Sequence, residues 1–119
     1  MINKVLTMLE ACNVPVDYNN RPDFDETNMS ISFHFFNESG ETFEEGEEIE
    51  TSGTLQIDLF VRSREDFTGV KKQIKQLLKV NRFLSPTSDD TQENIEGIGL
   101  INHIVIKSNY AESEVLNNG

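Results

Sequence analysis

The chain has 119 residues, a charged fraction of 26% and a formal net charge of −11. That length argues for one domain with one modest core. The acidic balance excludes a sequence-reading nucleic-acid protein or one that binds anionic membrane surfaces, because both ligands are polyanions that require a basic footprint. The single cysteine, Cys12, excludes an intrachain disulfide and favours folding in a reducing compartment. No secretory h-region opens the sequence, and no apolar run approaches the ~20 residues that span a bilayer.

Ile2, Val5, Leu6, Leu9 and Cys12 share one helical stripe, which predicts a first helix over residues 2–12 that Pro15 ends. Asp17 to Thr27 is polar and aperiodic and reads as a loop. Met29, Ile31, Phe33 and Phe35 alternate with Ser30, Ser32 and His34, as in a strand with one apolar face. The acidic, glycine-containing run at about 37–48 then reads as a long hairpin loop. Ile49 to Val61 forms the second strand, with Leu55, Ile57, Leu59 and Val61 on one face. A helix follows from about Glu65 to Val80, carrying Phe67, Val70, Ile74, Leu77 and Leu78 on one stripe. Ser63 is its expected N-cap, with Asp66 three residues on, and Asn81 is its stop. Phe83 and Leu84 begin a short strand that Pro86 confines to an edge or an end. Ser85 to Gly99 is polar. Leu100 to Lys107 is the last strand, and residues 110–119 read as a flexible C-terminal tail. The expectation is therefore an α+β domain over residues 1–109, with a mostly antiparallel sheet of about four strands and two helices packed on one face.

Charge is strongly segregated. From Arg62 to Arg82 the sequence holds seven basic residues against Glu65 and Asp66, a net of +5. From Asp17 to Glu50 it holds eleven acids and one base, Arg21, a net of −10. A chain with both can bind a copy of itself head to tail, and such contacts close into rings when the rotation permits. This marks Arg62, Arg64, Lys71, Lys72, Lys75 and Lys79 as candidate subunit or partner contacts. It marks Glu41, Glu44, Glu45, Glu47 and Glu48 as a candidate acidic contact loop.

Reactive chemistry is not specified. Asp23, Asp25 and Asn28 begin like a calcium loop, but Asn28 and His34 stand where that loop needs Gly and Glu. His34 and His103 have no acidic or cysteine partner nearby in sequence, and Cys12 lies on an apolar stripe. No nucleophile elbow, phosphate loop, dinucleotide fingerprint or HExxH occurs. The expectation is no catalytic residue, no metal and no cofactor.

The strand Thr54-Leu55-Gln56-Ile57-Asp58-Leu59-Phe60, the turn Asp66-Phe67 and the lysine-rich helix Lys71 to Leu78 together resemble small tail-completion proteins of long-tailed phages and prophages. These are the tail terminators and head–tail joining proteins. Asp89-Asp90-Thr91, followed by a strand containing His103, is similar to that family's C-terminal half. An aromatic often precedes the histidine there, where this chain has Ile101-Asn102. The resemblance spans roughly residues 28–107. It implies a small antiparallel sheet flanked by two helices, in a non-enzymatic virion protein assembled in the host cytoplasm. It also implies rings, commonly hexameric, that cap the tail tube and dock the head, with tail-tube and head-connector proteins as partners. The acidic loops would then line or rim a lumen through which DNA passes without specific binding. The alternative is a small acidic cytosolic adaptor or inhibitor that covers a basic partner protein. Its acids would have to stand on one rigid face.

Overall fold

A computed structural model describes residues 1–20, 28–42, 48–62 and 66–115. Two helices, α1 (Ile2–Glu10) and α2 (Thr68–Val80), accompany five strands: β1 (Val16–Tyr18), β2 (Met29–Thr42), β3 (Glu48–Arg62), β4 (Leu84–Ile95) and β5 (Gly99–Val115). The strands lie in one mixed sheet in the order β1-β2-β3-β5-β4. The fold is α+β, as the sequence predicts.

Alternation decides which side chains meet the helices. Ile31 opposes Leu59, Phe33 opposes Ile57, and on the other flank Ile57 opposes Ile106 and Leu59 opposes Ile104. These residues are buried in one cluster with Val5 and Leu9 of α1 and Ile74 and Leu78 of α2, so both helices cover the same face. The helices are also tied directly, because the Gln73 side-chain amide donates to the Ala11 carbonyl at 2.9 Å. Cys12 completes this core, and burial pushes its thiol pKa up. Among the described residues, no helix covers the other face. That face presents Ser30, Ser32, His34, Gln56, Asp58, Phe60 and His103.

Several expected boundaries shift, four of them for a backbone reason. Helix α1 ends at Glu10, because Asn13 turns into the left-handed region at φ 54° before Pro15. Val16–Tyr18, expected within or beside a loop, is a parallel edge strand on β2. It is tied by Ile31 N–H to Pro15 C=O and Asn19 N–H to Phe33 C=O, both 2.8 Å. Three residues are too few for periodicity to reveal. The polar run after Leu84 is the full edge strand β4, and Pro86 sits at its register shift, where no ladder N–H is required. Finally, β5 continues to Val115, so residues 110–115 pair with β3 and are not a tail.

The acidic hairpin is more ordered than its composition suggests. Strand β2 reaches Thr42 and β3 starts at Glu48, which leaves only 43–47, outside the described residues, as the connection. Residues 37–42, 48–53 and 110–115 form a three-stranded ribbon that continues the sheet away from the helices. Fifteen residues of β3 span about 50 Å at ~3.3 Å per residue, and the molecule measures 56 × 25 × 23 Å. Its 16.5 Å radius of gyration exceeds the roughly 13.5 Å of a compact domain this size. The excess is the arm.

The root of the arm is a shaped joint. Asn37, at φ 54°, supplies the left-handed residue of a bulge between Phe36 and Ser39, a site that usually takes glycine. The extra residue places Glu38 where the Tyr110 hydroxyl donates to it at 2.9 Å. Tyr110 is buried and packs edge-on against Phe35 and Phe83. Gly53 lies directly opposite Tyr110. A Cβ there would stand 2.9 Å from the Tyr110 hydroxyl and 3.2 Å from the Phe36 carbonyl. Gly53→Ala is therefore expected to cost about 1–2 kcal/mol by overpacking. Denaturant unfolding should show a smaller cost in a Tyr110→Phe background, where the closest of the three obstructions, which include Glu38 Cγ at 3.2 Å, is gone.

Helix α2 begins at Thr68, later than the apolar stripe predicts, and Ser63 and Glu65 lie outside the described residues. The N-cap position is Phe67, and Asp66, one residue before it, accepts the N–H of the first helical residue, Thr68, at 3.0 Å. That backbone bond, with a lesser one from the Thr68 side chain, lowers the Asp66 pKa. A depressed carboxyl pKa contributes stability above its unfolded value that is lost as pH falls through the folded value. Asp66→Asn should therefore be less stable than the parent at neutral pH, and thermal melts should show the gap closing under acid.

Candidate functional site

The sequence-predicted contact residues do not form one surface. Arg62 ends β3 on the face away from the helices, so strand alternation separates it from the lysines of α2. Arg64 lies outside the described residues. On α2, Lys72 and Lys79 are exposed and Lys75 is half-buried. Lys71 is engaged within the chain, its ammonium 2.9 and 3.0 Å from the two Asp90 carboxylate oxygens. That pair fastens α2 to the edge strand β4, and it leaves Lys72, Lys75 and Lys79 as the available basic stripe.

Glu41 and Glu48 belong to the arm's strands, paired in register with Glu50 and Val115 respectively. Glu44, Glu45 and Glu47 lie outside the described residues, as do Asp23 and Asp25. The arm is a ladder of three strands, with β3 held on both sides as far as Ile49 and by β5 alone at Glu48. Its acids are mounted on paired backbone, in contrast to a loop.

The helix-free face gathers a polar cluster that sequence separation hides. Asp58 is 7% exposed at the centre of the sheet. Its Oδ1 is 2.8 Å from His103 Nε2 and accepts from the Gln56 amide at 3.0 Å. His34 Nδ1 stands 3.7 Å from Oδ2. The other nitrogen of His103, Nδ1, lies 3.4 Å from Glu93 Oε2. The His103 ring also stacks on Phe60, 4.4 Å between centroids at 21°. A buried carboxylate is costly unless paired and hydrogen-bonded, and here three strands supply its partners: β2, β3 and β5. With Asn19, Asn20 and Ser32, the side chains of His34, Gln56, Asp58, Phe60 and His103 line an open depression of about 300 Å³.

Chemically the cluster is a hydrogen-bonded Gln56–Asp58–His103 unit, with His34 and Glu93 standing 3.7 and 3.4 Å from it. A neutral imidazole donates through one nitrogen and an imidazolium through both, and each nitrogen of His103 already faces a carboxylate. Ser32 lines the same depression, but among the described residues no hydrogen bond joins it to His34, so a nucleophile–base pair is not formed. No group of three or more His, Cys, Asp or Glu side chains among the described residues is placed to hold a metal ion. No helix among the described residues is long and apolar enough to cross a membrane.

Asp58 and Glu93 escape a reading based on sequence neighbours because their histidine partners lie on other strands. The one available signal was phase: Asp58 occupies an out-facing position between Ile57 and Leu59, in step with the out-facing histidines. His103→Ala is expected to destabilise the fold by about 1–3 kcal/mol, because it strips the buried carboxylate of its shortest partner. His103→Gln, which retains a donor, should lose less in the same denaturant titration.

No protein-family model matches the chain, and no curated protein matches it with significance.

Proposed function

We propose that this chain is a structural virion protein of a long-tailed phage or prophage, which completes the tail and forms a ring at the head–tail junction. It acts without catalysis or cofactor, contacts tail-tube and head-connector proteins, and leaves DNA to pass without specific binding. The observation that carries this reading is the separation of opposite charges along one continuous sheet. The described arm segments contain Glu38, Glu41, Glu48, Glu50, Glu112 and Glu114 and no lysine or arginine. The helical layer, by contrast, presents the Lys72, Lys75 and Lys79 stripe.

A ribbon with no basic residue cannot satisfy its acids by pairing with an identical ribbon, since like charges opposed across strands are destabilising. It suits a heterologous contact with a basic surface, the kind that closes into rings. The family resemblance supports the same reading from another direction. The residues that carry it occupy the central strand β3 and helix α2, and the two-helix, one-sheet layering is the one the family implies. The polar cluster on the helix-free face favours a structural role for His34 and His103 over a catalytic one.

Light scattering across ionic strength tests the proposal. Oligomers of discrete size are expected at about 0.05 M salt and at high protein concentration, on purified tail tubes if not alone. They should dissociate toward about 1 M salt, where the screening length falls to about 3 Å. A chain that stays monomeric at low salt and never binds tail tubes would refute the reading.

A further inference from the structure

Helix α2 ends in an unusual way. Phe83 N–H reaches back to the Leu78 carbonyl at 2.9 Å and Arg82 N–H to the Lys79 carbonyl at 3.1 Å. This closes the turn that ordinarily places glycine in the left-handed region. Here that residue is Arg82, at φ 68°. An L-residue with a long side chain is disfavoured there by its Cβ, and strain of this kind points to function when the local structure does not need the residue. Arg82 is exposed, and among the described residues its side chain makes no hydrogen bond or ion pair.

Its surroundings are also unusual. Val80 and Leu84, 67% and 58% exposed, are the barest large apolar side chains of the described residues. Lys79 beside them is exposed. Beneath Arg82 lies a cavity of about 110 Å³ at the root of the arm, floored by Phe83 and Tyr110. Lys4 also lines it, its ammonium 5.6 Å from the centre of the Phe83 ring. A basic rim, a small apolar floor and two bare aliphatic shoulders therefore converge on one helix end.

We infer that this helix end is the acceptor for the acidic arm of a second copy of the chain. Arg82 and Lys79, with Lys4 behind them, meet glutamate carboxylates, and Val80 and Leu84 cover the aliphatic stems. The inference rests on the ring reading above and names its contact. Charge complementarity selects the occupant, because the described arm segments hold six glutamates and no base. The arm also brings strand edges: among the described residues the register of β1 with β2 ends at Phe33, and that of β4 with β5 ends at Asn109. Exposed strand edges seek a partner unless charge prevents it, and here the charge prevents only another arm. The chain's own arm is held in the sheet and runs away from its root. The nearby Glu38 carboxylate is already engaged by Tyr110.

The test separates fold from contact. Arg82→Gly relieves the left-handed strain, so its thermal midpoint should be no lower than the parent's. Sedimentation at low salt should nevertheless show self-association, alone or on tail tubes, weakened at least about tenfold, the scale expected for lost interfacial charge pairs. Leu84→Asp should weaken it similarly. In a Cys12→Ser background, a Glu48→Cys chain mixed with a Val80→Cys chain should form an intermolecular disulfide under mild oxidation. Unchanged association in Arg82→Gly and Leu84→Asp, or no mixed disulfide, overturns the inference. Rings that persist in Arg82→Gly refute this contact and leave the ring reading standing. A mixed disulfide without rings or tube binding supports the contact and refutes the ring reading.

Discussion

Pairing of β3 on both sides is the constraint from which the rest of this molecule follows. All fifteen of its residues are laddered to β5, and from Ile49 to Val61, apart from Gly53 at the bulge, they are laddered to β2 as well. The lower half carries Leu55, Ile57, Leu59 and Val61 into the helical core, while the upper half carries no helix and becomes the spine of the arm. Backbone hydrogen bonding needs no particular side chain, so the same ladder serves an apolar core at one end and an acid-rich ribbon at the other. The joint between the two regimes is the Asn37 bulge with its Glu38–Tyr110 bond over Gly53.

The two faces of the sheet solve burial differently. On the helix side, apolar residues fill the space, and the hydrophobic effect is roughly proportional to the area they remove from water. On the bare side the sheet is occluded mainly by its own neighbouring side chains, and Asp58 is nevertheless almost fully buried. It is tolerated because His103 and Gln56 bond it directly and His34 stands near. Such a network specifies alignment as well as stability, since a slip of one residue would turn Asp58 into the apolar core and both histidines away from it.

Periodicity made the layering legible. The i, i+3, i+7 stripe of α2 and the alternation of β2 and β3 were enough to name which residues face the core, and Ile74, Leu78, Ile57 and Phe33 are all there. What periodicity could not supply was pairing without an apolar signal. Residues 110–115 and 37–42 are strands because neighbouring backbone offers hydrogen bonds, and their composition resembles that of solvated loops. Lys71 reads as part of the basic run, but its ion pair with Asp90 depends on β4 lying beneath α2, a tertiary fact. The Asp58 network was hidden for the same reason. Register between strands tens of residues apart decides which polar groups meet, and a single sequence shows phase but not register. Arg82 was counted among the basic residues, but its left-handed backbone belongs to the helix's ending and has no signature in residue type.

The strand order carries a consequence for how the chain is made. In space β5 lies between β3 and β4, yet it is synthesised after both. Until it emerges, β3 presents one complete unpaired flank that includes the apolar Leu55, Ile57, Leu59 and Val61, and β4 has no strand partner. An edge of that kind is a template for pairing with other chains, and joining it to β5 requires closing a long loop first, which slows folding. The acids distributed through β4 and the arm therefore have a second use during this interval. They keep nascent chains apart by mutual repulsion until the last strand slots into the centre of the sheet and removes the exposed edge.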